Sequence, residues 1–298
     1  MKIAVSGAGG LLGGALVERL TADGHETVAL VRSRNRDGVL WDVETGTFDA
    51  DALLGTDAVV HLAGESIQGR WTATKKRRIL DSRERGTTLL AQGLARLARE
   101  APGEAPRTLV SASAVGYYGD RGDELLAENA GPGDLFLSDV CRRWEAAADP
   151  ARAAGLRVVH PRFGVVLSRE GGALAAMLTP FRLGVGGRVG DGRQWVSWLH
   201  RLDAARLLVH LLETAELDGP VNAATPHPVR NLELTRALGA ALHRPTVLPL
   251  PAPMVKLALG GMGEELLLAS ARADTARLAA SGFSWRHERL DAALDAEL

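Results

Sequence analysis

The chain of 298 residues carries one cysteine, Cys141. That excludes an intrachain disulfide and a cysteine metal cluster, and it fits a reducing, cytoplasmic setting. Aromatic residues are scarce at 4%, and only two are tyrosines, Tyr117 and Tyr118, so any phenol chemistry must come from one of them. No stretch reaches the roughly 18 consecutive apolar residues of a membrane span. The uncharged run from Ile3 to Val17 behind Met1-Lys2 superficially resembles a secretory leader. It holds five glycines, however, and passes straight into Glu18-Arg19. Neither charge sign dominates: the formal net charge is −1, which argues against a dedicated nucleic-acid or membrane-surface protein. No histidine or acid cluster has metal-ligand spacing, so no metal is implied. Internal repeats, low-complexity tracts and a clean interdomain linker are also absent.

What is present begins at the N-terminus. Lys2 to Val5 reads as a strand. It leads into Ser6-Gly7-Ala8-Gly9-Gly10-Leu11-Leu12-Gly13-Gly14, after which Ala15 to Leu20 continues as a helix. Gly7, Gly10 and Gly13 are spaced G-x-x-G-x-x-G. The first permits a tight turn, the second lets the backbone approach a pyrophosphate, and the third lets helix pack on strand. With Leu11 and Leu12 between them, they form a dinucleotide cradle. The helix start adds unpaired N–H groups and partial positive charge.

Hydrophobic residues make up 46% of the chain, enough for a sizeable core. Short apolar runs at Thr27 to Val31, Asp57 to Leu62, Thr108 to Ser111 and Arg157 to His160 read as strands. Helical patterns at Leu12 to Asp23, Thr72 to Arg99 and Leu135 to Ala154 separate them. This alternation predicts an α/β fold with a Rossmann-like, doubly wound parallel sheet. Ligands of such sheets sit beyond the strands' carboxyl ends. Beyond residue 165 glycine and proline punctuate the chain. We expect a dinucleotide-binding domain over 1–165, with some later segments contributing, and a smaller C-terminal substrate lobe over 166–298.

The second strand ends Val31-Arg32-Ser33-Arg34. An acid there would hold a ribose 2′-OH, whereas an arginine accommodates a 2′-phosphate. Glu26 lies at the wrong end of that strand, so Val31 and Arg32 favour NADP(H). Seven cations between Arg70 and Arg85 face only Asp81 and Glu84. Most suit a solvated helix face, and one inward arginine could meet cofactor phosphates.

At this point the chain resembles an extended short-chain dehydrogenase/reductase, in the atypical epimerase family branch related to nucleotide-sugar epimerases. The resemblance rests on SGAGGLLG, His61 to Ile67 (HLAGESI), Ser82-Arg83, Ser111 to Asp120 (SASAVGYYGD) and Cys141 to Glu145 (CRRWE). Gly171 to Leu174, Gly190 to His200 and Asn222 to Asn231 extend it along nearly the whole chain. It implies NADP(H) binding and a C-terminal lobe. It also implies that Leu62, Ala63 and Gly64 line the adenosine and pyrophosphate site, that Glu65 and Arg83 reach the cofactor, and that Val166 lies near the nicotinamide.

The superfamily's usual Tyr-x-x-x-Lys is missing. There the tyrosine moves the proton, while the lysine lowers its pKa and holds the nicotinamide ribose. Here Leu137 stands at the tyrosine position and Cys141 at the lysine position, counted back from Glu145. Ser113 falls where the epimerases' catalytic serine would be. Tyr117, Tyr118 and His200 are the remaining candidates for acid–base work. Gln194, Trp195 and Trp198 could line a substrate pocket. Ser197, His200 and Asp203 have triad-like spacing, but G-x-S-x-G is absent and Asp203 reads as a helix N-cap. Two functions stay open: an NADP(H)-dependent oxidoreductase acting on an unidentified small molecule, or an NADP(H)-binding sensor without turnover.

Overall fold

The computed structural model describes residues 1–33 and 37–298, so Arg34 lies outside the described residues. The central sheet gathers β1 (Lys2–Ser6), β2 (Glu26–Val31), β3 (Val39–Asp42), β4 (Thr47–Phe48), β5 (Ala58–His61), β6 (Thr108–Ser111), β9 (Arg157–Phe163) and β13 (Gly219–Ala223). Their spatial order is β13-β9-β6-β5-β1-β2-β3-β4, with β7 (Ser113–Ala114) paired to β9. Every pair is parallel except β3 with β4. The chain builds outward from β1 in one direction, then returns through β5 in the other. The topological switch therefore lies between β1 and β5, where such sheets bind ligands.

The strands are short and apolar because both faces are covered. Ile3, Val5, Ala58 and Val60 face one core together with Leu16 and Leu20 of α1 (Leu11–Ala22). Ala4, Val59 and Leu109 face the other, against Leu90, Leu94 and Leu97 of α2 (Ala73–Glu100). The Thr72 hydroxyl starts α2 by accepting from the Lys75 amide at 3.2 Å. These elements follow the sequence expectation closely. The hairpin of β3 and β4 had no apolar run to announce it.

One predicted helix is two. Leu135 to Ala154 divides into α3 (Phe136–Ala146) and α4 (Asp149–Ala153), with Pro150 in the first turn of the second. Proline has no N–H to continue the ladder, and its ring clashes with the carbonyl four residues back.

Outside the central sheet, β10 (Val165–Leu167) pairs with β12 (Trp198–His200) and β11 (Trp195–Val196) with β14 (Val229–Arg230). Likewise β15 (Arg272–Ala273) joins β8 (Leu125–Leu126). A third core joins α5 (Gly172–Arg182) to α7 (Asn231–Ala241) and the terminal helix Leu290–Glu297, around Leu174, Phe181, Trp198, Leu238 and Leu294, while α6 (Arg201–Glu213) lies outside it. Leu207, Leu208 and Leu211 of α6, and Val221 of β13, belong instead to the first core. These later segments thereby join the core and the sheet that β1 begins. No described helix is long and apolar enough to cross a membrane.

Candidate cofactor site

The cradle is built from backbone. Gly7 takes φ +72°, and its carbonyl accepts from the Gly10 amide at 2.9 Å. A Cβ on Gly7 would stand 3.0 Å from the Ala63 nitrogen. A Cβ on Gly13 would overlap the Gly7 carbonyl oxygen and stand 2.7 Å from its carbon. Both glycines are therefore sterically required. No side chain caps α1, and no acid lies in its first turn. The amides beginning with Leu11 and Leu12 are left open to an anion, aided by the helix dipole.

A serine the sequence reading passed over ties the cradle together. Ser6 Oγ accepts from the Leu62 and Ala63 amides at 3.1 and 3.2 Å, so its own proton goes to His61 Nδ1 at 2.6 Å. His61 must then be neutral. Burial, aided by the charge of Arg83, lowers its pKa from 6.5 to about 4. His160, whose Nδ1 contacts the Ser111 carbonyl, is likewise pushed by burial to about 4. Both folded values lie below the unfolded one, so the unfolded chain takes up these protons first. The stability they lend is complete above about pH 6.5 and is lost as pH falls towards 4. Melting temperatures measured across that window should fall, and less steeply for His61→Gln; a flat profile would contradict the assignment.

Around the rim, Arg32 is exposed just beyond Val31. Asp42 is held below the usual carboxylate range mainly by the Thr45 hydroxyl, and the charge of Arg32 adds to this. Leu12, Leu62 and Val166 pack against the first core. Leu11 lies against Gly171 and Gly172 at the start of α5. The Glu65 carboxylate sits between Lys75 (2.7 Å) and Arg78 (2.9 Å), while its backbone N–H and C=O are held by Ser82 and Arg83. Gly64 lies against the Arg83 guanidinium.

The would-be catalytic centre is rebuilt. Leu137 is buried against Trp71, Ile79 and Val140, with Gly116 packed on its Cβ. Burial raises the Cys141 thiol to about 11, making it a packing group. Ser113 donates to Glu145 Oε1 at 2.7 Å, and Glu145 is clamped by Arg162 through two bonds of 2.8 Å. Sequence reasoning missed Arg162 because nothing in strand spacing marks a buried arginine. Tyr118 is corrected as an acid–base candidate. It is fully buried, donates to Asn222 at 2.7 Å, accepts from Arg162 at 3.0 Å, and burial raises its pKa. Tyr117 is only half-buried. The Arg162 guanidinium covers its ring at 3.6 Å, and its hydroxyl makes no hydrogen bond among the described residues.

His200 is also corrected. It caps α6 by accepting from the Leu202 amide at 3.2 Å, faces Glu297 at 3.1 Å and stacks on His287 at 3.8 Å. It therefore replaces Asp203 as the N-cap. Asp203 is buried and receives the Arg286 and His287 amides. The Ser197 hydroxyl serves Ala271 and Ala273, so the triad-like spacing assembles no triad. Trp198 is fully buried, its indole bonded to the His227 carbonyl, and so walls no pocket. Gln194 spends its amide on the Val189 and Leu267 carbonyls. Trp195 remains half-buried between Arg230 (4.0 Å) and Arg272 (4.7 Å) and bonds Asp123.

The model of the NAD dependent epimerase/dehydratase family matches residues 3–224, and a domain of unknown function (DUF1731) matches 250–297. An epimerase family protein of Mycobacterium tuberculosis is 41% identical over 98% of this chain and 96% of its own length. The crystal structure of human epimerase family protein SDR39U1 with NADPH is 36% identical. It superposes with TM-score 0.88 over 100% of this chain and 99% of that one. A nucleoside-diphosphate sugar epimerase from Corynebacterium glutamicum is 37% identical, with TM-score 0.82 over 100% of this chain and 58% of that one. The chain belongs to the NAD dependent epimerase/dehydratase family.

Proposed function

We propose that the chain binds NADP(H) in the Gly7–Gly13 cradle and works as an epimerase-like oxidoreductase on a small molecule, without the usual tyrosine–lysine pair. The observation that carries this is the backbone cradle, in which neither Gly7 nor Gly13 has room for a Cβ. The human relative that superposes along the whole chain was crystallised with NADPH, which supports the same reading. When bound, the nicotinamide supplies or accepts a hydride. The chain's own part is to bind and orient. The open amides of α1 hold the diphosphate, and Arg32 meets the 2′-phosphate.

Ser113 has given its proton to Glu145, so towards a ligand it offers lone pairs. It would accept from a hydroxyl rather than donate to a carbonyl. Tyr117 is the one phenol left with an uncommitted hydroxyl. Purified protein would be incubated with NADPH and a panel of carbonyl compounds and nucleotide sugars. Turnover that survives both Ser113→Ala and Tyr117→Phe would sink this site assignment.

The second reading, cofactor binding without turnover, is favoured by Leu137 and Cys141, which fill the proton-relay positions with buried groups. Tight NADPH binding with no turnover across the panel would support it. For cofactor choice, Arg32→Ala should weaken NADPH about 10- to 100-fold while NADH changes little, the scale of one or two charge-assisted hydrogen bonds. Equal losses, measured by titration, would remove Arg32 from the 2′-phosphate.

A further inference from the structure

Water-facing surfaces carry large apolar side chains singly, and a helix that is apolar on every side is ordinarily buried. One region of this chain departs from both rules. Six of the ten large hydrophobic side chains that stand exposed among the described residues fall in two short segments. Leu183 and Val185 lie in one, and Val247, Leu248, Met254 and Leu257 in the other. Leu257 is 86% exposed, Val247 79% and Leu183 73%.

The two segments run against each other. Val247 bridges Gly187 and Leu250 bridges Val189. The Leu250 amide donates to the Arg188 carbonyl at 2.8 Å, and Arg244 Nε to the Arg182 carbonyl at 2.9 Å. Pro251 then leads directly into α8 (Ala252–Leu259), which has one charge, Lys256, and buries one residue, Val255. Met254 and Leu257, three residues apart, share an exposed side of that helix. A concentration of apolar surface on this scale marks an interaction site.

The charge around it has one sign. Residues 182–190 and 244–257 hold Arg182, Arg188, Arg244 and Lys256 and not one acid. Lys256 is paired with Glu264 at 2.7 Å. The three arginines have no carboxylate partner among the described residues: Arg188 reaches only the Asp191 carbonyl, and Arg244 only those of Arg182 and His243. The formal net charge of −1 conceals this local excess.

These features choose between occupants. A second copy docked about a two-fold axis would set the patch against itself, and the arginines against their own counterparts. An anionic bilayer offers what both halves need: an apolar interior for Leu257, Val247 and Leu183, and lipid phosphates for the guanidinium groups. The backbone suits it as well. Pro249, Pro251 and Pro253 have no N–H to strand in an apolar medium, and the Leu250 amide between them is already bonded. α8 is too short to span, so the contact is peripheral.

We propose that the surface formed by residues 182–189, 244–250 and α8 docks the protein on anionic phospholipid membranes. Leu257 and Val247 enter the interface, while Arg182, Arg188 and Arg244 meet lipid phosphates. The inference stands apart from the cofactor reading, since the surface shares no residue with the Gly7–Gly13 cradle.

The chain would be floated with vesicles of phosphatidylcholine alone and of phosphatidylcholine mixed with phosphatidylglycerol. We expect it to rise with the mixed vesicles, less so as salt is added, and hardly at all with phosphatidylcholine alone. Arg182→Gln with Arg188→Gln should lower the partition coefficient about 25-fold, or about fivefold for each cation. Val247→Gln with Leu257→Gln should lower it by at least about tenfold. Melting temperatures equal to wild type would show that both variants fold. Arg77→Gln with Arg85→Gln removes the same charge from exposed positions on α2 and should leave partition nearly unchanged. Wild type that binds neither vesicle overturns the proposal, as does equal binding to both. Patch variants that partition like wild type, or that lose no more than the α2 control, overturn it too. A dimer seen in sedimentation that Val247→Gln with Leu257→Gln dissociates, with no vesicle binding, gives the patch to a second copy and also overturns it.

Discussion

Gly13→Ala should abolish NADPH binding and lower the unfolding midpoint, whereas Gly14→Ala, one residue on, should do neither. The new methyl at position 13 would overlap the Gly7 carbonyl oxygen and stand 2.9 Å from Ala8 Cα. That carbonyl cannot step aside cheaply. It accepts the Gly10 amide, and Gly7 is held at φ +72° with its α-carbon against the Leu62–Ala63 peptide. Forcing in one methyl costs about 1–3 kcal/mol, and more where backbone rather than a side chain must yield. The movement is also in the worst place, since it displaces the open amides of α1 that we propose meet the pyrophosphate. A shift of this kind should cost more than 100-fold in affinity, about 3 kcal/mol or more. At Gly14 the nearest atom to a new Cβ is the Ala8 oxygen at 3.8 Å, an ordinary contact. Alanine there improves helix propensity by about 0.5–1 kcal/mol. The two neighbours should thus shift the melting temperature in opposite directions. A Gly13→Ala protein that binds NADPH normally would dismantle the steric account of the cradle.

Arg162→Met should destabilise the fold by about 3–5 kcal/mol, the usual cost of stranding one member of a buried ion pair. The Arg162 side chain is 3% exposed and that of Glu145 14%. The substitution strands more than a carboxylate. Arg162 also donates to the Tyr118 hydroxyl and to the Glu128 carbonyl at 3.0 Å each, and lies over the Tyr117 ring. Replacing both partners, Arg162→Met with Glu145→Leu, should recover part of the loss, because desolvated charge disappears from both sides. Urea unfolding of the single and double variants checks this. A single variant within 1 kcal/mol of wild type would show that the pair is not the anchor of this site.

The sequence exposed those parts of the molecule where one local rule decides the outcome. The runs at Thr108 to Ser111 and Asp57 to Leu62 could only be buried strands. Gly7, Gly10 and Gly13 marked the cradle by their spacing, and at Gly7 and Gly13 the backbone path leaves no room for a Cβ. Four residue-level readings, those of Asp203, His200, Tyr118 and Trp198, failed for physical reasons. Asp203 has the chemistry of an N-cap, but it is drawn to the amides of Arg286 and His287, more than 80 residues away. Its place passed to His200, the one ring that could accept the Leu202 amide. Tyr118 looked available only because a buried Arg162–Asn222 environment has no local signature. Trp198 belongs to the third core, where indole chemistry resembles that of a pocket wall. Long-range polar pairing, absent from any short window of sequence, separates the correct readings from the wrong ones. Ser113 with Glu145 and Ser6 with His61 are two further instances, joining residues 32 and 55 positions apart.

The central claim is that an open helix N-terminus behind the two required glycines, Gly7 and Gly13, binds NADP(H), with Arg32 selecting the 2′-phosphate. Its most direct test is isothermal titration of the wild-type chain with NADPH and NADH side by side. The account expects saturable one-site binding of NADPH, at least about tenfold tighter than NADH, the margin of a charge-assisted contact. Equal affinity for the two, or no heat with either, would contradict it.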